Sequence, residues 1–187
     1  MPEVSMLPVS AADDAELMST LADLVNKVYA VAEQGLWIDG AERTNAAELA
    51  GLTRAGQIAV ARVDGAIAGS VRIQDLGDGL SEFGMLAAAP EHRGIGVGRE
   101  LVRFAEQRNP GRTMQLELLV PREWSHPSKE FLAGWYGRIG YELVRVGRLD
   151  EFYPALTPLL ATACDLRVYH KALGAPPRDE SGTAKLG

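Results

Sequence analysis

A single cysteine, Cys164, in 187 residues excludes an intrachain disulfide and any metal site built on clustered cysteines. The three histidines, His92, His126 and His170, are scattered without ligand spacing, so no metal is expected. No apolar run approaches the roughly 20 residues that span a membrane. No basic stripe of the kind that tracks nucleic acid is present. Neither a membrane nor a nucleic acid is therefore an expected partner. The first residues carry Glu3 and no basic region ahead of an apolar stretch, so they do not read as a signal peptide, and a cytoplasmic location is expected by default. The net charge of −6 mildly favours a cationic partner, although solubility explains it equally well.

Glycine, by contrast, is concentrated where it carries information. Arg93-Gly94-Ile95-Gly96-Val97-Gly98 lies between a strand-like run at 81–88 and a helical run at 98–108. A glycine-rich loop that feeds a helix leaves backbone N–H groups without partners, at the positive end of the helix dipole. That arrangement seats phosphate. The P-loop pattern G-x-x-x-x-G-K-[ST] is absent. A dinucleotide fingerprint needs G-x-G-x-x-G directly after a strand. Here the spacing is G-x-G-x-G, and Ala89-Pro90-Glu91-His92-Arg93 intervenes. Glu117, about 20 residues further on, sits where a ribose-binding acid would, but one match does not offset the wrong spacing.

The stretch from Leu86 through Arg93, Gly96 and Gly98 to Leu101 resembles the acetyl-CoA signature [QR]-x-x-G-x-[GA] of the GCN5-related N-acetyltransferase (GNAT) superfamily. Strand, loop and helix match in order, with Ala88 where the family usually has valine. The resemblance implies acetyl-CoA as co-substrate. It implies cofactor contacts from the Leu86, Ala87 and Ala88 backbone, where the family's strand bulges and splays, and from Arg93, Gly94, Ile95, Gly96, Val97, Gly98 and Arg99.

Periodicity along the chain agrees with that family's order of elements. Leu17, Leu21, Leu24, Val25 and Val28 recur at helical spacing, with Ser10 as the expected N-cap and Gly35 as the stop. A second helix is expected after Thr44, which is its expected N-cap, ending near Gly56. Asp64-Gly65, between Ile58-x-Val60 and Val71-x-Ile73, predicts a hairpin. Met114, Leu116, Leu118 and Val120 alternate as in a half-buried strand. A fourth helix is expected over 128–138, then strands at 141–148 and 164–171, and a short strand near 4–9 can precede them all. The resemblance implies an α+β (mixed α/β) GNAT fold over residues 1–173, a twisted and mostly antiparallel sheet of six to seven strands flanked by about four helices. Residues 174–187, with Pro176-Pro177 and little apolar content, read as a disordered tail.

Acetyl transfer to an amine needs a proton acceptor, a polarised thioester carbonyl and a donor for the departing sulfur. Glu82, on the strand leading to the loop, stands where the histone-acetylating branch of the family has its general base. An exposed strand glutamate is the other reading. Trp135-Tyr136-Gly137-Arg138-Ile139-Gly140-Tyr141 resembles the family's [FW]-Y-x-x-x-G-[FY] segment, which makes Tyr136 the candidate acid. Phe131, Trp135 and Ile139 share a helical face and are expected in the core. Where the family often has a coenzyme-binding asparagine, this chain has Lys129, a candidate phosphate contact. Trp37, Arg43 and Tyr153 are weak candidates for the acceptor side, and Cys164 is expected to be buried and structural. The expected activity is direct transfer from acetyl-CoA to a small amine, amino acid or amine-bearing antibiotic. A peptide acetyltransferase and a non-catalytic coenzyme A sensor are the alternatives, and a homodimer is possible by family analogy.

Overall fold

The computed structural model describes residues 1–175. Most of the expected tail, 176–187, lies outside the described residues. The elements, in chain order, are β1 (Glu3–Met6), α1 (Ala15–Ala32), α2 (Ala46–Arg54), β2 (Ile58–Val63), β3 (Ala66–Gly77), β4 (Leu80–Ala88), α3 (Val97–Gln107), β5 (Thr113–Pro121), α4 (Pro127–Arg138), β6 (Glu142–Arg148), the short α5 (Leu149–Phe152) and β7 (Cys164–Ala172). The seven strands form one sheet in the order β1-β2-β3-β4-β5-β7-β6. Every neighbouring pair is antiparallel except β4 and β5. This is the mixed α+β architecture of the GNAT fold.

Alternation divides the sheet into two faces. One face carries Val71, Phe83, Met114, Leu116 and Tyr169, packed with Leu101, Val102 and Ala105 of α3 and Tyr136 of α4. The other carries Ile58, Val60, Met85 and Ala87, packed with Met18, Leu21, Ala22 and Val25 of α1 and Leu49 of α2. The Asp64-Gly65 turn has positive φ at both residues (50° and 82°), the backbone of a tight hairpin.

Three expectations need correction. The first helix starts at Ala15, not near Ser10. Residues Val9–Asp13 form a 3-10 turn, and the Asp14 carboxylate accepts from Leu17 N at 3.0 Å. Asn45, not Thr44, caps α2, accepting from Glu48 N at 2.9 Å. Thr44 is buried, its hydroxyl donating to Glu48 Oε2. Phe131 is 63 % exposed rather than in the core. Residues four apart drift by roughly 40° per step around a helix of 3.6 residues per turn, so a face containing Trp135 and Ile139 turns away from the sheet by Phe131.

Candidate active site

The parallel β4–β5 ladder has only three pairs, Leu80↔Thr113, Ser81↔Met114 and Glu82↔Gln115. Beyond Glu82 the strands part. A bulge at Met85 (φ 48°) shifts the β3–β4 register between Ser70 and Arg72. It also switches the alternation of β4. Phe83 belongs to the α3/α4 face, whereas Met85 and Ala87 belong to the α1/α2 face. From Phe83 to Ala88 the β5-facing edge of β4 therefore has no strand partner, which leaves backbone donors and acceptors free. An extended amide chain such as pantetheine fits such an edge.

The loop after β4 continues that edge. Gly94 and Gly96 both have φ of +87°, and a Cβ at either would meet nothing within 4 Å. Glycine is required there by conformation, and the space in front is open. Gly96 is the N-cap of α3 and offers no side-chain acceptor, so the first N–H groups of α3, from Val97, Gly98 and Arg99, have no cap. The side chains of Ile95, Arg93 and Arg99 are exposed, while Val97 is buried in the core. Neither arginine forms an ion pair with a described residue. Charge, dipole and free donors coincide, and a pyrophosphate fits this set.

Tyr136 lies under the parting of β4 and β5, 6 % exposed, among the rings of Phe83, Trp135, Tyr141 and Tyr169 at 5.1–6.5 Å. Burial pushes its hydroxyl well above the ordinary tyrosine value, with a smaller push from Tyr29. It stays protonated at neutral pH and has a proton to donate. Tyr29 comes from α1, on the opposite face. Burial raises its hydroxyl to about 12, against the pull of Arg43 and of the Leu86 backbone.

Glu82 stands on the α1/α2 face at the last paired position. Its Oε1 accepts from Gln74 Nε2 at 2.7 Å and its Oε2 from Gln115 Nε2 at 2.6 Å. A carboxylate can only accept, so both amides must turn their NH₂ toward it. Their oxygens then face outward. Gln74 Oε1 accepts from Arg72 Nη2 (2.7 Å), and Gln115 Oε1 accepts from His170 Nε2 (2.8 Å), which fixes the proton on that nitrogen. The row Arg72, Gln74, Glu82, Gln115, His170 crosses four strands with every dipole aimed at one carboxylate. Each Glu82 oxygen accepts one hydrogen bond here and has lone-pair capacity for another.

One step along β5 from Gln115 on the same face is Glu117. It accepts from Tyr153 Oη at 2.6 Å, and its pKa is raised, first by burial and then by Glu82. Arg43 reaches the same space from the loop before α2, its guanidinium 5.3 Å from the centre of the Tyr29 ring. Asn26 of α1 clamps that loop, accepting from Arg43 N and Thr44 N and donating to Thr44 O.

Of the expected residues, Glu82, Tyr136, Arg43, Tyr153 and the Leu86–Ala88 backbone converge here. Lys129 does not. It is buried, and its Nζ donates to Glu33 Oε1 at 2.8 Å. Nor does Trp37, whose Nε1 donates to Glu33 Oε2 and whose ring packs with Leu36, Leu119, Leu149 and Leu166. Tyr29, Asn26, Arg72, Gln74, Gln115 and His170 escaped the sequence reading. The β5 alternation was the available signal for Gln115, since it put Gln115 and Glu117 together on the polar side. Among the described residues no cluster of His, Cys, Asp or Glu is placed to hold a metal ion, and no helix is long and apolar enough to cross a membrane.

A parted β4–β5 pair beside a glycine-lined helix start is the frame of an acyl-coenzyme A transferase. Residues 54–143 match the family model described as an acetyltransferase (GNAT) domain. That match identifies residues 54–143 as an acetyltransferase domain of the GNAT type. No curated protein matches the sequence. Similar solved structures include yncA of Salmonella typhimurium, solved with acetyl-CoA (TM-score 0.62, 14 % identity, covering 97 % of this chain and 99 % of that one). Others are the ribosomal-protein-S18-alanine N-acetyltransferase of Escherichia coli (0.59, 16 %, 96 % and 98 %) and an IAA acetyltransferase of Bacillus cereus (0.58, 14 %, 92 % and 100 %). At these identities the likeness is one of fold.

Proposed function

We propose that this protein transfers the acetyl group of acetyl-CoA directly to the primary amine of a small molecule within a ternary complex. The observation that carries this reading is the placement of Glu82 and Tyr136 on opposite faces of the sheet at the one point where β4 and β5 part. A proton acceptor thus faces the acceptor side and a proton donor faces the cofactor side of the same gap. Acetyl-CoA, when bound, supplies an acetyl thioester whose C–S bond breaks as the new C–N bond forms. The free edge of β4 from Leu86 to Ala88 holds the pantetheine amides, and an N–H on that edge polarises the thioester carbonyl. Gly94, Gly96 and the α3 N-terminus seat the pyrophosphate, with Arg93 and Arg99 adding charge. Glu82 takes the proton that the amine sheds, directly or through a water. Tyr136 donates its hydroxyl proton to the departing sulfur. Holding amine and thioester in register supplies much of the rate.

The test is release of free thiol from acetyl-CoA across a panel of amines, amino acids, aminoglycosides and short peptides. A small free amine turns over, and the same amine within a peptide does not. Tyr136→Phe and Glu82→Gln each lower kcat by roughly 100-fold or more, the usual scale of acid–base assistance, while acetyl-CoA affinity is retained. Unchanged turnover in both variants would overturn the assignment, and preference for the peptide would move the acceptor to protein.

A further inference from the structure

Four charged side chains line the α1/α2 face of the site: Glu82 and Glu117, Arg43 and Arg72. Elsewhere in the described residues, nine ion pairs bring opposite charges within 4 Å of each other. None of these four takes part in one. Glu82 is held by two neutral amides, and Glu117 by a phenol. Arg72 donates to the neutral oxygens of Gln57 and Gln74. Arg43 lies over the Tyr29 ring with no carboxylate partner. Charges of both signs thus face one space without cancelling each other, although each is fixed in place by neighbouring polar or aromatic groups.

That space has a floor. Gly84 sits on the same face as Glu82, opposite Arg72 in the β3 register and beside the parted end of β5. Its φ is not in the left-handed region, and a Cβ built on it meets nothing within 4 Å. Backbone conformation therefore does not demand glycine here, and neither does packing. What its missing side chain leaves is open volume beside Glu82 on that face.

We propose that the acceptor is a small zwitterion, an amine carrying its own carboxylate, which lies over Gly84 with its amino group between Glu82 and Glu117 and its carboxylate on Arg43. This deepens the function proposed above and rests on it. A polyamine or aminoglycoside would satisfy the two glutamates but bring further positive charge against Arg43 and Arg72. A neutral amine would leave both arginines unanswered. A zwitterion answers each sign with its opposite. The fork geometry of Arg43 suits a carboxylate bidentately, and Asn26 holds the loop that presents it. Gly84 sets the room available to the acceptor above the sheet.

Thiol release is measured with α-amino acids, each paired with its decarboxylated amine and with its amide, which keep the amine and remove the negative charge. At least one amino acid is expected to exceed its decarboxylated partner in kcat/KM by about 10- to 100-fold, the span of one charge-assisted pair. Arg43→Ala erases most of that difference through KM. Arg43→Lys restores part of the preference. Gly84→Val raises KM for every acceptor without moving the acetyl-CoA Kd measured by calorimetry. Decarboxylated amines or amides matching their amino acids, or an Arg43→Ala loss shared equally by both, overturns the zwitterion while leaving the acetyltransferase intact. If acetyl-CoA binds and no small amine of any charge releases thiol, the small-acceptor function itself falls and this inference falls with it.

Discussion

Lys129→Met isolates the gravest electrostatic commitment near the site. The Lys129 ammonium and the Glu33 carboxylate lie 2.8 Å apart, with side chains only 4 % and 10 % exposed. Removing the lysine leaves Glu33 with the Trp37 indole N–H as its remaining donor. An uncompensated buried charge of this kind costs about 3–5 kcal/mol. For a chain of this size each kcal/mol moves Tm by about 2–4 °C, so a fall of roughly 6–20 °C is expected in a thermal melt. Glu33→Gln combined with Lys129→Met removes both charges, keeps an acceptor for Trp37 and recovers more than half of the loss. Acetyl-CoA affinity of the folded single variant, by calorimetry, stays within about twofold of wild type, well under the tenfold that 1.4 kcal/mol represents. A melt within about 2 °C of wild type, or a tenfold weaker acetyl-CoA affinity with Tm unchanged, would refute the reasoning and return Lys129 to the phosphates.

Three further outcomes follow from single residues. Gly96→Ala forces a Cβ onto a backbone at φ +87° and should cost about 1–2 kcal/mol of stability while weakening acetyl-CoA, read by melting and calorimetry; a variant as stable as wild type would show that the loop conformation is not fixed. Burial raises the Glu117 pKa above its ordinary 4.5, so the folded state holds that proton more tightly than the unfolded one, and stability is lost as pH rises from 4.5 through the raised value. Glu117→Gln should therefore gain in Tm over wild type at pH 7 and lose that advantage at pH 4; a gap independent of pH contradicts the shift. Cys164 is buried, and its thiol is raised to about 11 by burial first and Glu33 second, so native protein should resist alkylation at pH 7 and Cys164→Ser should keep its turnover; rapid labelling, or abolished turnover with the fold intact, would reopen an acyl-enzyme route.

Much of the frame is legible in the sequence because it is local. Helical spacing, the Asp64-Gly65 turn, the β5 alternation and the Arg93–Gly98 loop each depend on residues within a few positions of one another. The acceptor side is not legible for the opposite reason. His170 reaches Gln115 across 55 positions because β7 inserts between β5 and β6, and nothing in a linear reading announces that strand order. Lys129 looked like a spare cation because Glu33 is 96 residues away. Glu117 was weighed only as a ribose acid, since its place beside Glu82 follows from a parallel pairing three residues long. The cap of α1 was misplaced because Ser10 and Asp14 are both competent caps, and the 3-10 turn after Pro8 decides between them.

The bulge at Met85 joins these observations causally. A regular β4 would have kept pairing with β5 beyond Glu82, and its odd-numbered residues would all have faced α3 and α4. The extra residue bends the strand and turns Met85 and Ala87 toward α1. The same shift leaves the β5-facing edge unpaired, which is what an amide-rich cofactor requires. It also leaves Gly84 as the last residue of β4 on the polar face before the turnover of sides. Floor of the acceptor space and edge of the cofactor groove are therefore two consequences of one inserted residue. Straightening β4 would remove both together, so variants at Met85 should lose acetyl-CoA affinity and acceptor turnover in proportion rather than one without the other.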